Sequence, residues 1–287
     1  MPYSYLSQHL AAGVADHVQA HLIDKYGRSG FKVESPIHND VSWTPTLQIK
    51  TNRFCLLGVE VSDQLYPSII KIAVHDLLAS CAEMPVSISV ACPLAEYQAD
   101  ARQIISKQLR RDGIGLITVD DLGNVTEQFV PISVIHHIQE DAFARRIGEL
   151  PTSVRVKFSA AYDVYRTNAY QGLQDVSQVI EALSMGFAKD CKKKGWITSV
   201  GSTAASALDA LYSSTENLVT QQRAAIGGAR DYMRNIRNPS SHPPKNQAEV
   251  AARIQECKEG FLNTTRVAVN LCVAIHRCGL KVRLLVP

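Results

Sequence analysis

The sequence changes character once, and that change most constrains how the chain can fold. Up to Pro131, short β-branched runs alternate with helical patterns in the order helix, three strands, helix, strand, helix, hairpin. From Val134 onward the apolar spacing is helical, with no convincing long strand. The predicted fold class is therefore α+β and multidomain, an α/β sandwich followed by an all-α bundle. Pro131 and Pro151 bracket the connecting segment, so we expect domains at 1–132 and 150–287.

The expected elements follow the apolar spacing and the turn signals. The run Pro85 to Cys92 is mostly apolar and β-branched, which predicts a strand buried on both faces. The other strands of the first half are expected at 31–34, 45–50, 54–62, 113–119 and 125–130, and its helices at 4–26, 68–83 and 94–111. Helical patterns of the second half cover 133–149, 153–193, 202–217, 218–237 and 246–278.

Composition indicates a globular, intracellular protein. The chain is 46% hydrophobic and 20% charged, and its net charge of +3 is compatible with nucleic-acid binding without requiring it. No apolar run approaches the ~20 residues that span a bilayer, and no secretory signal is recognisable, so we expect a cytoplasmic protein without a membrane partner. The seven cysteines lack framework spacing and read as reduced core residues. Cys272, His276 and Cys278 lack further ligands nearby, so no metal site is predicted.

The segment around Arg237 and His242 contains the most suggestive chemistry. It reads Arg-Asn-Pro-Ser-Ser-His, follows a helical run and precedes the pair Pro243-Pro244. A guanidinium can hold a phosphate with two parallel hydrogen bonds, and an imidazole can move a proton near neutral pH. Together they suffice to cleave RNA without a metal, because the histidine handles the 2′-hydroxyl or leaving-group proton and the arginine stabilises the phosphorane.

The second half resembles the HEPN superfamily. The resemblance covers roughly residues 150 to 280 and rests on the Arg-Asn-x3-His motif at the end of a bundle helix. A long helix is expected to run from Ala161 to Glu181 with an acid midway, and a long apolar helix, Val250 to Cys278, closes the bundle. Proteins of this superfamily usually dimerise, so that two motifs form one metal-independent ribonuclease site, and they are common in toxin–antitoxin and antiviral defence systems.

The resemblance implies roles for individual residues. Arg237 would bind and polarise the scissile phosphate, His242 would act as general acid or base, and Asn238 would orient the pair or the phosphate. Glu181 is a candidate to orient Arg237 from the facing helix. The implied partners are RNA, a second copy of the chain through the bundle, and an antitoxin or activator protein, with no cofactor and no metal.

The first half resembles a restriction-endonuclease fold of the PD-(D/E)xK type. Asp40 precedes a strand, and Glu60 lies near the end of a later strand in Gly-Val-Glu-Val-Ser, before a helix and a strand. In that family two carboxylates bind a divalent metal and a lysine helps to activate water. Ser62 stands at the lysine position, which implies an inactive domain; alternatively Lys71 or Lys50 supplies the charge. Mg²⁺ would be needed only in the active case.

Three functional hypotheses follow. The favoured one is a metal-independent endoribonuclease of a defence or toxin system, whose N-terminal domain is regulatory or binds nucleic acid or a partner. The second is a metal-dependent DNA nuclease that uses Asp40 and Glu60. The third is a non-catalytic module that senses a nucleotide or a protein.

Overall fold

The computed structural model describes residues 10–51, 55–80, 85–237 and 247–284. The chain divides into two compact units, Met1–Gln139 and Glu140–Pro287, which we name the sheet unit and the helical unit. The boundary between them falls after residue 139. Over the described residues the protein is mixed α/β, with one six-stranded mixed sheet and eleven α-helices.

The sheet unit contains all six strands and four of the helices. In chain order its elements are α1 (Leu10–Tyr26), β1 (Lys32–Val33), β2 (Leu47–Lys50), β3 (Leu56–Val61), α2 (Ser68–Ser80), β4 (Val86–Pro93), α3 (Leu94–Ala99), α4 (Ile104–Arg111), β5 (Gly115–Val119) and β6 (Val125–Phe129). A short 3₁₀ turn, Val134–His136, closes the unit. The predicted order of helices and strands is confirmed over these residues, except that two helices stand between β4 and β5 where one was expected.

The six strands lie side by side in chain order. β1, β2 and β3 are antiparallel neighbours, β3, β4 and β5 are parallel, and β6 returns antiparallel to β5. The two parallel pairs need crossover connections, which α2 provides between β3 and β4, and α3 with α4 between β4 and β5. The β5–β6 hairpin turns at Gly123, whose φ of +83° lies in the left-handed region that favours glycine.

Alternating residues of the strands build a separate core on each face of the sheet. Leu56 and Val86 pack with Ile70 and Leu77 of α2 on one face. The neighbouring residue Leu57 belongs to the other face, where residues of α1 cover the sheet. β4 is buried along most of its length on both faces, as predicted.

The single helix expected over 94–111 is two helices. The carboxylate of Asp100 accepts hydrogen bonds from the backbone amides of Ile104, Ile105 and Ser106. These amides belong to the first turn of α4, whose N–H groups have no partner within the helix. The aspartate therefore favours a new helix start over a continuous helix.

The helical unit consists of α5 (Glu140–Ile147), α6 (Thr152–Thr167), α7 (Ala169–Lys193), α8 (Ala204–Tyr212), α9 (Asn217–Thr220), α10 (Arg223–Tyr232) and α11 (Gln247–Arg277). A π-helical turn, Met233–Arg237, continues α10. The predicted helix over 133–149 is wrong as one element, because the 3₁₀ turn and α5 belong to different units.

The helix expected to run through Ala161 to Glu181 is also divided. Asn168 leaves helical geometry at φ −145° and ψ 94°, and its side chain accepts a hydrogen bond from the amide of Gln171 at the start of α7. Beyond this break, a Cβ on Gly172 would lie 2.4 Å from the Cα of Tyr165. The glycine therefore allows α6 and α7 to approach at backbone distance.

Stacked aromatic rings fill the start of the helical unit. The rings of Phe143 and Tyr162 stack at 4.3 Å, and Tyr165 meets Phe261 of α11 at 4.4 Å. These contacts tie α5, α6 and α11 together and place the middle of α11 in the core. Among the described residues, no helix combines the length and the apolar character needed to cross a bilayer.

Candidate functional site

The site centres on Arg237, the last residue of the π-turn. Its Nε donates a hydrogen bond to Oε1 of Glu181, which lies midway along α7. Both side chains are partly buried, with 32% of Arg237 and 16% of Glu181 exposed. The structure thus joins two of the residues expected from the sequence, whereas Asn238 and His242 lie outside the described residues.

The π-turn is the local feature that presents Arg237. α10 ends at Tyr232, and the next five residues adopt the wider π geometry. Single π-turns are rare and frequently occur at functional sites. The turn carries three polar residues, namely Arg234, Asn235 and Arg237, and buries only Met233.

Three buried hydroxyl groups fix the helices beneath the π-turn. The Tyr232 hydroxyl lies 2.5 Å from Oγ of Ser177 on α7 and 3.0 Å from Oγ1 of Thr264 on α11. Ser177 donates its proton to the carbonyl of Leu173 at 2.7 Å, so the tyrosine must be the donor to Ser177. Thr264 also bonds the carbonyl of Gly260, at 2.7 Å.

This network is neutral over the physiological pH range. Burial raises the pKa of Tyr232, although its hydrogen bonds to Ser177 and Thr264 act in the opposite direction. Its three hydroxyl protons serve four contacts, with Thr264 sharing its single proton between the Gly260 carbonyl and the Tyr232 oxygen, and these contacts join three helices. The network therefore fixes α7, α10 and α11 relative to one another. Its residues Ser177 and Thr264 lie one helical turn after Leu173 and Gly260.

A cleft of about 650 Å³ opens beside this network. Its apolar part includes Leu173 of α7, Ile236 of the π-turn and Gly260 of α11. A Cβ on Gly260 would lie 3.2 Å from both Ile236 and Leu173, so the glycine leaves these side chains just enough room. Because Ile236 directly precedes Arg237, the cleft and the Arg237–Glu181 pair share one short segment of backbone.

The polar lining of the cleft was not identified from the sequence. It includes Arg146 of α5, Tyr170 of α7, Asn235 of the π-turn, and Arg253, Asn263 and Arg266 of α11. A sequence signal exists along α11, where Arg253, Glu256, Gly260 and Asn263 recur at spacings of three and four. These positions share one face of a helix whose other faces carry core residues.

In the sheet unit, Glu60 is partly buried and is hydrogen-bonded to a core side chain. Oε2 of Glu60 accepts a hydrogen bond of 2.8 Å from the indole N–H of Trp43, a fully buried side chain. Burial raises the pKa of Glu60, and the hydrogen bond from Trp43 offsets this rise only in part. This environment disfavours the ionised carboxylate that a divalent cation needs.

The other expected nuclease residues lie in different surroundings. The side chain of Asp40 is 79% exposed, with Oδ2 3.5 Å from Nδ1 of His38. Nζ of Lys71 lies 4.6 Å from the ring centroid of Tyr66, and Ser62 accepts a hydrogen bond from the amide of Gln64. Asp40 and Glu60 are thus an exposed and a desolvated carboxylate, unlike a matched pair of metal ligands.

The strand register also separates Lys50 from Glu60. Lys50 of β2 is opposite Leu56, four residues before Glu60 on β3. That offset corresponds to about 13 Å along the strand. Within the described part of the chain, no group of three or more His, Cys, Asp or Glu side chains is arranged to hold a metal ion.

Comparisons with known proteins found no match to this chain. No protein-family model matches the chain, and no curated protein or solved structure matches it significantly.

Proposed function

We propose that this chain is a metal-independent endoribonuclease whose site is built around Arg237. The observation that carries the proposal is the ion pair between Arg237 and Glu181, at the end of a π-turn in an all-helical unit. A carboxylate at Nε fixes the plane of a guanidinium, which is what bidentate binding of a phosphate requires. The arrangement supports the likeness of this half of the chain to the HEPN superfamily.

The chemistry needs two proton transfers and one charged intermediate. The 2′-oxygen of a ribose attacks the adjacent phosphorus, and its proton passes to His242 or its equivalent from a second copy of the chain. The bond from phosphorus to the 5′-oxygen breaks, and that oxygen takes up a proton from His242 of the same or of the second copy. Arg237 stabilises the phosphorane between these events. The products are a 2′,3′-cyclic phosphate and a 5′-hydroxyl, and every atom comes from the RNA.

In this proposal the roles of the remaining residues follow from the resemblance. Asn238 orients the arginine or the phosphate, and two copies of the helical unit pair to complete the site. We propose that the sheet unit is regulatory or binds nucleic acid or a partner, such as an antitoxin or activator in a defence system. The hydrogen bond from Trp43 and the raised pKa of Glu60 argue against a divalent-metal site in that unit.

The test is RNA cleavage in excess EDTA by wild type, Arg237→Ala and His242→Ala, with end-group analysis of the products. Cleavage by wild type alone, leaving 2′,3′-cyclic phosphate ends, supports the proposal. Products with a 3′-hydroxyl and a 5′-phosphate would instead indicate hydrolysis of the metal-dependent type. DNA nicking that requires Mg²⁺ and is lost in Glu60→Ala would favour the nuclease of the sheet unit.

A further inference from the structure

Two helices on one face of the sheet expose large apolar side chains. Ile70 and Leu77 of α2 and Leu109 of α4 belong to one core cluster, so both helices cover the same face. Five apolar side chains of these helices are exposed, namely Ile69, Ile72, Leu78, Ile104 and Ile105. Ile72 is 59% exposed and Ile104 is 63% exposed. Exposed apolar groups that lie together, unlike scattered ones, indicate an interaction surface.

The outward side of α4 combines apolar and basic side chains. Ile104, Lys107 and Arg111 recur at spacings of three and four, so they share one side of the helix. Ser106 and Leu109, the buried residues of α4, lie on the opposite side. All three outward side chains are exposed, so an apolar group and two cations face the solvent together.

A chain of contacts joins this side of α4 to α2. Nζ of Lys71 lies 4.6 Å from the ring centroid of Tyr66, whose hydroxyl donates to Asp112 at 2.8 Å. The carboxylate of Asp112 lies 3.6 Å from Nε of Arg111. The start of α2 and the end of α4 are therefore neighbours. We name their combined surface the basic apolar face, which consists of Lys71, Ile72 and Leu78 of α2 and Ile104, Lys107 and Arg111 of α4.

The acidic groups next to the basic apolar face are engaged in hydrogen bonds. Asp100 accepts from the first amides of α4, and Asp112 accepts from Tyr66. Asp76 of α2 accepts a hydrogen bond of 2.6 Å from the hydroxyl of Ser42. The sequence of α4, IISKQLRR, contains three cations and no acid. The face therefore has a positive potential around its apolar side chains and attracts an anionic partner.

The composition of this face favours an anionic lipid surface over a protein. Protein interfaces are enriched in aromatic residues and methionine and depleted in lysine, whereas this face contains isoleucine, leucine and two lysines. Apolar side chains of a peripheral helix enter the boundary between headgroups and acyl chains, and the long basic side chains reach the lipid phosphates. Because α2 and α4 form one layer on the sheet, their outward sides can meet a flat bilayer together.

We propose that the basic apolar face docks the sheet unit on an anionic lipid bilayer. Ile72 and Ile104 enter the headgroup boundary, and Lys107 and Arg111 bind lipid phosphates. This inference goes beyond the proposed ribonuclease, whose site lies in the helical unit, and does not depend on it. It differs from the sequence-based expectation of a protein without a membrane partner, because docking on a bilayer surface needs no spanning segment.

The experiment measures sedimentation of the full chain with lipid vesicles. One set of vesicles is pure phosphatidylcholine, and the other also contains phosphatidylglycerol. We expect binding to the mixed vesicles at low salt and at least about tenfold weaker binding to phosphatidylcholine, because each cation near an anionic surface contributes about fivefold. High salt should weaken the binding. Equal affinity for both vesicles, or no binding to the mixed ones, overturns the proposal.

Paired substitutions separate the cations from the isoleucines. Lys107→Gln with Arg111→Gln is expected to weaken binding to mixed vesicles about twentyfold. Ile72→Gln with Ile104→Gln is expected to weaken it about tenfold or more while leaving the circular dichroism spectrum unchanged, since both side chains are exposed. Unchanged binding in the isoleucine variant would show charge attraction without insertion and overturn the proposal.

Matched controls come from α6, where Val156 is 60% exposed between the exposed Arg155 and Lys157. Arg155→Gln with Lys157→Gln, and Val156→Gln alone, should change vesicle binding by less than about twofold. A loss equal to that of the α4 variants would show a general effect of charge or apolarity. Such a result would overturn the assignment to the basic apolar face.

Insertion itself can be observed by tryptophan fluorescence. Ile104→Trp should shift its emission to shorter wavelength on mixed vesicles and be quenched by brominated lipid, whereas Val156→Trp should show neither effect. The same response from both variants overturns the proposal. Light scattering tests for a second copy as the occupant: a wild type that self-associates, loses association in Ile72→Gln with Ile104→Gln and ignores vesicles also overturns it.

Discussion

Glu181 accepts a hydrogen bond from Nε of Arg237, 56 residues further along the chain. The pair links the middle of α7 to the last residue of the π-turn, and both side chains are partly buried. An ion pair in such a setting interacts more strongly than an exposed one, and loss of one partner leaves a desolvated charge. The pair therefore contributes both to folding and to the orientation of the guanidinium.

Replacing Glu181 by glutamine should slow RNA cleavage strongly and destabilise the fold modestly. The amide retains an acceptor for Nε but lacks the charge that holds the guanidinium plane, so we expect kcat to fall about tenfold or more. The free energy of unfolding, measured by urea denaturation, should fall by about 1 kcal/mol. Glu149→Gln, the same change at an exposed position, serves as the control and should alter neither quantity. Unchanged kcat in Glu181→Gln would separate Glu181 from catalysis.

Removing the buried hydroxyl of Tyr232 should destabilise the helical unit. Tyr232→Phe deletes a donor to Ser177 and a partner of Thr264, at an expected cost of about 1 kcal/mol. The loss is limited because both hydroxyls keep their bonds to the carbonyls of Leu173 and Gly260. Chemical denaturation would detect the change.

The control for that experiment is Tyr212→Phe. Tyr212 is 39% exposed, and its ring lies 4.5 Å from the guanidinium of Arg230. The phenylalanine keeps this ring contact, so stability should stay within about 0.5 kcal/mol of wild type. An equal loss in both variants would mean that the buried network contributes nothing specific.

Two glycines of the helical unit should respond to alanine with opposite signs. A Cβ on Gly172 would meet backbone and side-chain atoms of Tyr165 at 2.4–2.6 Å, so Gly172→Ala must separate α6 from α7. Overpacking of this kind costs about 1–3 kcal/mol or more. Gly228 of α10 is exposed with nothing within 4 Å of its Cβ position, and Gly228→Ala should stabilise by about 0.5–1 kcal/mol. Thermal unfolding of the two variants measures both signs.

The sequence predicts the sheet well because its signals are local. The apolar run of β4 and the turn residues before β6 each report on a few neighbours, and both strands lie where expected. The helix breaks at Asp100 and Asn168 were missed because helical periodicity continues on both sides of each. The aspartate and the asparagine act through local capping bonds that compete with a continuous helix.

The candidate site also contains some residues that the sequence predicts and others that it does not. Arg237 could be chosen from its motif, and Glu181 from its place on a facing helix, because both carry recognisable chemistry. The cleft depends on which faces of α5, α7 and α11 meet, and that is a property of tertiary packing. The sequence also did not predict the hydrogen bond between Trp43 and Glu60. Trp43 lies in a loop, and its ring packs over Gly58 to reach Glu60.

The ion pair between α1 and β6 should make the sheet unit sensitive to acid. Burial would raise the pKa of Glu127, but its hydrogen bonds from Lys25 and His21 outweigh burial and lower it. A carboxyl group whose pKa is lowered by folding stabilises the fold at pH values above its ordinary pKa of 4.5. This contribution disappears as the pH falls through the pKa that the group has in the folded protein. Glu127→Gln should therefore be less stable than wild type at pH 7.

The pH dependence provides the control for that prediction. Below the folded pKa of Glu127 the wild-type carboxyl is neutral like the glutamine side chain, so the two proteins should converge in unfolding free energy at low pH. A difference that stays constant from pH 7 to pH 3 would indicate a packing effect. Circular dichroism during urea denaturation at several pH values would resolve the two cases.

Glu60 should show the opposite pH dependence, which also bears on the rival nuclease. Burial raises its pKa, so the folded protein binds a proton more tightly than the unfolded chain, and stability falls as the pH rises above 4.5. Glu60→Gln keeps an acceptor for the Trp43 indole and removes a partly buried charge. The variant should therefore be at least as stable as wild type at pH 7 and equal to it at pH 3. A metal-binding Glu60 would instead give a wild type that gains stability from Mg²⁺ and a variant that does not.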